Sequence, residues 1–376
     1  MRTTFLFILA MIVTICGLSQ STSPSEWFKR LDQNQDGFVS ADELPPAVNP
    51  ELLKRLDRDG DGRISAAEDA EATARQNRRN ERRQRNTNRS YTVAPTHADV
   101  AYGPHLRNRL DIWLPSEVQS GNSGTPLVVF IHGGGFRKGD KSQIGRSITE
   151  KLREKGFAVA AINYRLTDTA PYPAQMHDGA RAIQFLRSKS NEWHLDPARI
   201  GAMGGSAGAG ISQWLTFHDD LADPDNEDPI LRQSSRVQCA VPKAAQTTYD
   251  PRTIKSFFGA SRLDGALFPF YGMTEESDIN DPKFHALFED ASPVTHLTAD
   301  DGPVLLQYSQ ANTPLPDNPP GHLYIHHPSF SKILMEKAKE VGVSVEVMFR
   351  EDIKAGISFD KAAVAFFEKH LMTPAD

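Results

Sequence analysis

The chain has 376 residues and a formal net charge of −6, which excludes a nucleic-acid binder driven by bulk charge. Hydrophobic residues at 39%, charged residues at 24% and 20 Phe supply a sizeable buried core, which excludes global disorder and a fibrous chain. The length suits one large α/β domain with a small appendage, or two ordinary domains.

Met1, Arg2, Thr3 and Thr4 precede an apolar stretch from Phe5 to Leu18 that is broken only by Thr14 and Gly17. A basic start and a short apolar run have the proportions of a secretory signal, so residues 1–19 are read as a signal peptide. The run falls short of the roughly 20 residues a spanning helix needs, and no transmembrane anchor is expected. Ile15 stands where a lipidation signal would place a small residue before Cys16. With Cys16 removed, Cys239 is the single cysteine, predicted as a free buried thiol, and the mature chain is expected to be secreted or periplasmic.

Residues 24–70 form an acidic module with two matching twelve-residue loops. Asp32, Asn34, Asp36, Gly37, Ser40 and Glu43 fill positions 1, 3, 5, 6, 9 and 12 of an EF-hand calcium loop, and Asp57, Asp59, Asp61, Gly62, Ser65 and Glu68 repeat them. Calcium takes a shell of hard oxygens, the glycine allows the sharp mid-loop turn, and the last glutamate can clamp the ion with both oxygens. Val39 and Ile64, at position 8, are expected to pair the loops across a short two-stranded contact. Two Ca2+ ions would offset four of the six excess negative charges. Pro45, Pro46 and Pro50 between the loops leave no room for long helices, which favours a structural pair over a regulatory switch.

Residues 71–90 are rich in Arg, Asn and Gln without a large apolar side chain, and read as a solvated linker or the tail of a polar helix, with a domain boundary near residue 90. From residue 91 to 376, apolar runs of strand length alternate with helical periodicity. Strands are predicted at 110–114, 127–131, 158–162, 200–203, 237–241, 304–308 and 343–349, and helices at 144–154, 177–188, 209–217, 330–340 and 360–371. The alternation predicts a mostly parallel sheet with helices on both faces. Residues 250–296, with Phe257, Phe258, Phe268, Phe270 and Tyr271, read as an insertion over one end of the sheet, the aromatics mainly as core.

Chemistry concentrates at two strand ends. The strand ending at Met203 runs into Gly204-Gly205-Ser206-Ala207-Gly208, the G-x-S-x-G nucleophile elbow, whose small neighbours let strand and helix backbones nearly touch. The strand ending at Ile131 runs into His132-Gly133-Gly134-Gly135-Phe136, whose backbone N–H groups can meet an oxyanion together with that of Ala207.

The segments IHGGGF at 131–136, YPAQMHD at 172–178 and GGSAGAG at 204–210 resemble those of α/β-hydrolase esterases of the hormone-sensitive-lipase-like group, over roughly residues 95–372. The resemblance implies an α/β-hydrolase fold behind the small α-helical EF-hand pair, ester hydrolysis without a catalytic cofactor, Ser206 as nucleophile, and Gly133, Gly134, Gly135 and Ala207 as the oxyanion region. Asp178 would either hold the sheet-to-helix junction or lie on a helix surface. The chain departs from the family pattern at the other two triad positions: Asn312 stands in the place of the acid, and Ile357 or Ser358 in that of the histidine.

A base from His322, His326 or His327, with Asp317 or Asp250 as acid, would rebuild the triad, since triads are defined by geometry and not by order. Two function classes follow. One is an exported serine carboxylester hydrolase or deacylase acting on small acyl esters, those decorating polysaccharides among them. The other is a non-catalytic hydrolase-fold protein that binds a ligand or partner through the same pocket.

Overall fold

The computed structural model describes residues 25–43, 56–75, 93–115, 124–354 and 357–372; the expected signal peptide at 1–19 and linker residues 76–90 lie outside them. The chain divides into two compact units, residues 1–86 and 87–376.

In the first unit, Ser25 caps the helix Glu26–Leu31 by accepting from the Phe28 N–H, as a short polar side chain does at a helix start. The Ser25 N–H and hydroxyl donate to Asp69 Oδ2 and Oδ1 at 2.6 and 2.9 Å, joining the two ends of the module. Strands β1 (Phe38–Val39) and β2 (Ile64–Ser65) pair antiparallel with Val39 opposite Ile64, as the loop spacing predicts. Both side chains are buried with Phe28 and Leu31 in one small cluster.

The second unit is built on β3 (His97–Ala101), β4 (Arg109–Trp113), β5 (Thr125–Ile131), β6 (Ala158–Ile162), β7 (Leu195–Gly205), β8 (Cys239–Lys243), β9 (Val304–Gln307) and β10 (Val345–Met348). They form one sheet in the order β10-β9-β8-β7-β5-β6-β4-β3, parallel from β10 to β6 and antiparallel at β4 and β3. The unbroken apolar runs of the central strands are explained by burial on both faces. Along β5, Leu127, Val129 and Ile131 belong to one core, with the helices Ala174–Ser188, Ala207–Phe217 and Phe330–Val341. Val128 belongs to the other, with the helices Arg146–Glu154 and Phe359–Phe367. This is the two-residue period of a strand applied to two hydrophobic layers.

β3 is absent from the sequence reading for a physical reason. It is a polar edge strand, with a register shift between His97 and Val100 and Asp99 at φ 55°, so it carries no apolar alternation. The final helix is also less regular than its pattern suggests, passing at Glu368–Met372 into a π turn. Residues 250–296 hold the helices Pro251–Phe258, Leu267–Tyr271, His285–Ala291 and Pro293–His296 between β8 and β9. Phe270 and Tyr271 are buried in the main core, whereas Phe257 is 43% exposed. Cys239 is a buried free thiol in β8, its pKa raised by burial.

Asp178 holds the junction. It is buried, accepts the Arg165 backbone N–H at 2.8 Å, and takes Arg165 Nε and Nη2 on both carboxylate oxygens, fixing the segment after β6 to the helix Ala174–Ser188. Replacing it strands a half-buried guanidinium, so Asp178→Ala is expected to cost roughly 3 kcal/mol. A shift of the urea midpoint checks this; a parent-like midpoint would show that the pair contributes no stability.

Candidate active site

β7 carries the chain at Gly205 directly to Ser206, which adopts φ 55° and ψ −120°, and the helix Ala207–Phe217 starts at once. A β-carbon-bearing residue at positive φ is a strained conformation held by its surroundings. Those surroundings are glycines in near contact with backbone. A Cβ on Gly204 would lie 2.5 Å from the Ile131 carbonyl oxygen, and one on Gly208 2.1 Å from the same atom. Across the gap, a Cβ on Gly133 would lie 2.5 Å from the Gly205 carbonyl oxygen. The two glycine motifs therefore interlock, and the Ser206 N–H, donating to the Lys243 carbonyl at 2.9 Å, ties the elbow to the end of β8.

A small cavity opens on Ser206, with Ala207 and Gly135 in its wall. Its other walls are mostly apolar, including Phe136, Leu267 and Phe330, with Gln246, Tyr249, Asp264 and Tyr324 as polar groups. Sequence reasoning missed these four, which share no motif. One signal existed in Gly210, where a Cβ would lie 2.0 Å from the Tyr249 hydroxyl, so the last glycine of GGSAGAG makes room for that ring. The Tyr249 hydroxyl donates to Gln246 Oε1 at 3.2 Å, and Gln246 Nε2 donates to the Ile325 carbonyl at 2.6 Å.

The histidines at 322–327 have three different situations. His327 is buried with both ring nitrogens engaged: Nδ1 accepts the Ser329 N–H at 3.2 Å and Nε2 donates to the Thr313 carbonyl at 2.9 Å. Its lone pair is committed, and it is a structural histidine. His322 is exposed and outside the cavity wall. His326 is half-buried, and its Nδ1–H donates to the Ala244 carbonyl at 3.2 Å, which leaves the Nε2 lone pair open. Ala244 follows Lys243, the residue that holds the Ser206 N–H.

Neither carboxylate candidate backs an imidazole. Asp317 is exposed. Asp250 caps the helix Pro251–Phe258, accepting from the Arg252 N–H at 2.8 Å and pairing both oxygens with the Arg252 guanidinium. Among the described residues no hydrogen bond joins Ser206 to a histidine, and residues 355–356 beside the expected histidine slot lie outside them.

In the EF-hand unit the expected ligand residues hydrogen-bond within their own loops. Asp57, Asp59 and Asp61 bring carboxylate oxygens within 4.8 Å of one another. Gly37 donates to Asp32 Oδ2, Asn34 accepts the Asp36 N–H, Ser40 donates to Glu43 Oε2, and Ser65 to Glu68 Oε2, so each loop is closed by its own side chains. Asp32 Oδ1 is buried with no hydrogen-bond donor among the described residues. A carboxylate oxygen in that state is costly unless a cation meets it, and the donor set of hard oxygens fits Ca2+.

A family model described as BD-FAE matches residues 110–319, more than half of the chain, and an EF-hand model matches residues 25–44 and 51–68. A probable carboxylic ester hydrolase, LipM of Mycobacterium tuberculosis, is 31% identical over 228 residues, covering 58% of this chain and 48% of that protein. Esterase LipQ of the same organism is 25% identical over 58% of this chain and 49% of its own length. The chain thus spans about half the length of these curated relatives. A truncated carbohydrate esterase from gut microbiota superposes with a TM-score of 0.58 at 20% identity, over 74% of this chain and 96% of that one. Thermogutta terrifontis Est2, a thermophilic esterase, gives 0.53 at 20% identity over 75% and 96%. Both likenesses establish the α/β-hydrolase fold.

His132, which opens the glycine run, is buried and stacked on Tyr164 with ring centroids 4.3 Å apart. Its Nδ1–H donates to the Gly133 carbonyl at 2.8 Å and its Nε2 accepts from Arg107 Nη2 at 3.2 Å, a pattern only the neutral ring can satisfy. Burial pushes its pKa down to about 4, against the opposing effect of the Gly133 carbonyl. Between that value and about 6.5 the unfolded chain binds the extra proton, so stability is full above about pH 6.5 and falls as pH drops toward about 4, by roughly 3 kcal/mol. Urea midpoints across this window should decline more steeply in the parent than in His132→Asn; parallel declines would discount the effect.

Proposed function

The chain belongs to the BD-FAE family of α/β-hydrolases, and from that premise we propose that it hydrolyses small acyl esters with Ser206 as the nucleophile. The observation that carries the reading is a single cavity shared by Ser206, held at φ 55° on the elbow, and the Ala207 and Gly135 backbone of the oxyanion region. An ester carbonyl placed there meets the serine hydroxyl on one side and backbone N–H donors on the other, where negative charge develops. The apolar wall takes the acyl or alcohol group, and acylated polysaccharide is one source of such esters.

His326 is the base in this reading. Its Nδ1–H is held by the Ala244 carbonyl and its neighbours Tyr324 and Ile325 line the cavity. A carbonyl fixes the tautomer as a triad carboxylate does, without stabilising the imidazolium to the same degree, so the enzyme is expected to be slow. Ser206→Ala should abolish hydrolysis of aryl acetates, and His326→Ala should lower it nearly as far, by roughly 10³-fold or more, because members of such a unit act together. His322→Ala should leave the rate unchanged. Equal rates in parent and His326→Ala would remove that residue from the mechanism. An unchanged rate in Ser206→Ala, with no labelling of the parent by a fluorophosphonate, would replace the enzyme by a ligand-binding protein on the hydrolase fold, a reading favoured by the lack of a described hydrogen bond from Ser206 to a histidine.

The N-terminal unit, in the same reading, binds two Ca2+ ions through Asp32, Asn34, Asp36, Ser40 and Glu43, and through Asp57, Asp59, Asp61, Ser65 and Glu68, in a protein exported by way of residues 1–19. Calorimetric titration should give two sites, with Glu43→Gln and Glu68→Gln each removing one. No heat of calcium binding in the parent would reject the metal assignment.

A further inference from the structure

We propose that His218, Asp290 and His296 form a zinc site that clamps the 250–296 insertion to the far end of the elbow helix. Ser206 stands at the start of the helix Ala207–Phe217 and His218 at its end, where the imidazole lies over Trp214 with ring centroids 3.9 Å apart. The helix His285–Ala291 supplies Asp290, and the turn Pro293–His296 supplies His296, whose ring is 4.4 Å from that of His218. One nitrogen of each ring and one Asp290 oxygen lie within 4.8 Å of one another.

The spacing is close to that of a coordination shell. His218 Nε2 is 3.4 Å from Asp290 Oδ1. That is about the edge of a tetrahedron whose metal bonds are roughly 2.0–2.1 Å. His296 Nε2 is 3.9 Å from the same oxygen. It has to close by about 0.5 Å to match that edge, exchanging its present 2.8 Å hydrogen bond to the Asp290 carbonyl for a metal bond.

The ligands are supported from behind in the way metal ligands require. The His218 Nδ1–H donates to the Asp219 carbonyl at 2.8 Å, which turns the Nε2 lone pair toward Asp290. The Tyr172 hydroxyl donates to Asp290 Oδ2, leaving Oδ1 for the ion, and Trp214 Nε1 donates to the Asp290 carbonyl at 2.9 Å. Two imidazoles and a carboxylate are a zinc donor set, whereas Ca2+ and Mg2+ take oxygens. The Asp290 side chain is 45% exposed, so water reaches a fourth position. The clamp bears on the cavity through Tyr172, which packs edge-on to Phe270, and Phe270 stacks on the cavity-wall residue Phe136 at 4.2 Å.

The test uses the untagged chain with Ca2+ in excess, so that the EF-hand loops are filled, and titrates ZnCl2 by calorimetry. One equivalent of zinc is expected in the parent, together with a rise in the thermal midpoint of the hydrolase unit and, with Co2+ in its place, the intense visible absorption of a tetrahedral site. His218→Gln and His296→Gln should each weaken zinc by about tenfold or more and lose both signatures. If His218→Gln fails to fold, His296→Gln carries the same comparison. No saturable zinc binding in the parent, or binding that both histidine variants retain and Glu43→Gln or Glu68→Gln abolishes, would overturn the site and leave the cluster as a hydrogen-bonded contact.

Discussion

The hydrolase unit depends on a backbone crowded to the limit at the junction of β5 and β7. The Ile131 carbonyl oxygen stands where any side chain on Gly204 or Gly208 would have to go, and the Gly205 carbonyl oxygen does the same to Gly133. Nothing larger than hydrogen fits, so the two strand ends and the start of the elbow helix behave as one rigid body. Ser206 can hold a positive φ because this body over-determines it. The Lys243 and Ala244 carbonyls extend the same body sideways, one accepting from the Ser206 N–H and the other from His326.

The EF-hand unit rests on a different balance. Among the described residues its buried hydrophobic cluster is Phe28, Leu31, Val39 and Ile64, with Leu56 and Ala66 packed against it. The loops are closed by side-chain acceptors on backbone donors, and Asp32 Oδ1 is buried without a donor among the described residues. In the proposed reading a cation completes this module, whereas the second unit has two hydrophobic layers of its own.

What was legible in the sequence follows from how local each constraint is. The EF-hand positions lie within twelve consecutive residues, and the glycine motifs answer to contacts at a single turn, so both appear as spacing. The runs 127–131 and 158–162 were readable because strands buried on both faces are apolar at every position. β3 was not, since an edge strand bearing Asp99 at positive φ has no such run. The neighbours of Ser206 were the least readable. Gln246 and Tyr249 line its cavity from a loop after β8 and Asp264 from the insertion, while the histidines at 322–327 differ in burial and in the groups their ring nitrogens meet. Four residues lie between the exposed His322 and the locked His327, and no pattern in the sequence distinguishes the two.

Cys239 sits in β8 between β7 and β9, with no measurable exposure and a pKa raised by burial. Oxidants and alkylating reagents attack exposed thiolates, and this sulfur is neither exposed nor ionised in the folded chain. Its reaction with a thiol reagent therefore waits for the centre of the sheet to come apart, so the rate at which Cys239 is modified under native conditions is a clock for the opening of the hydrolase unit.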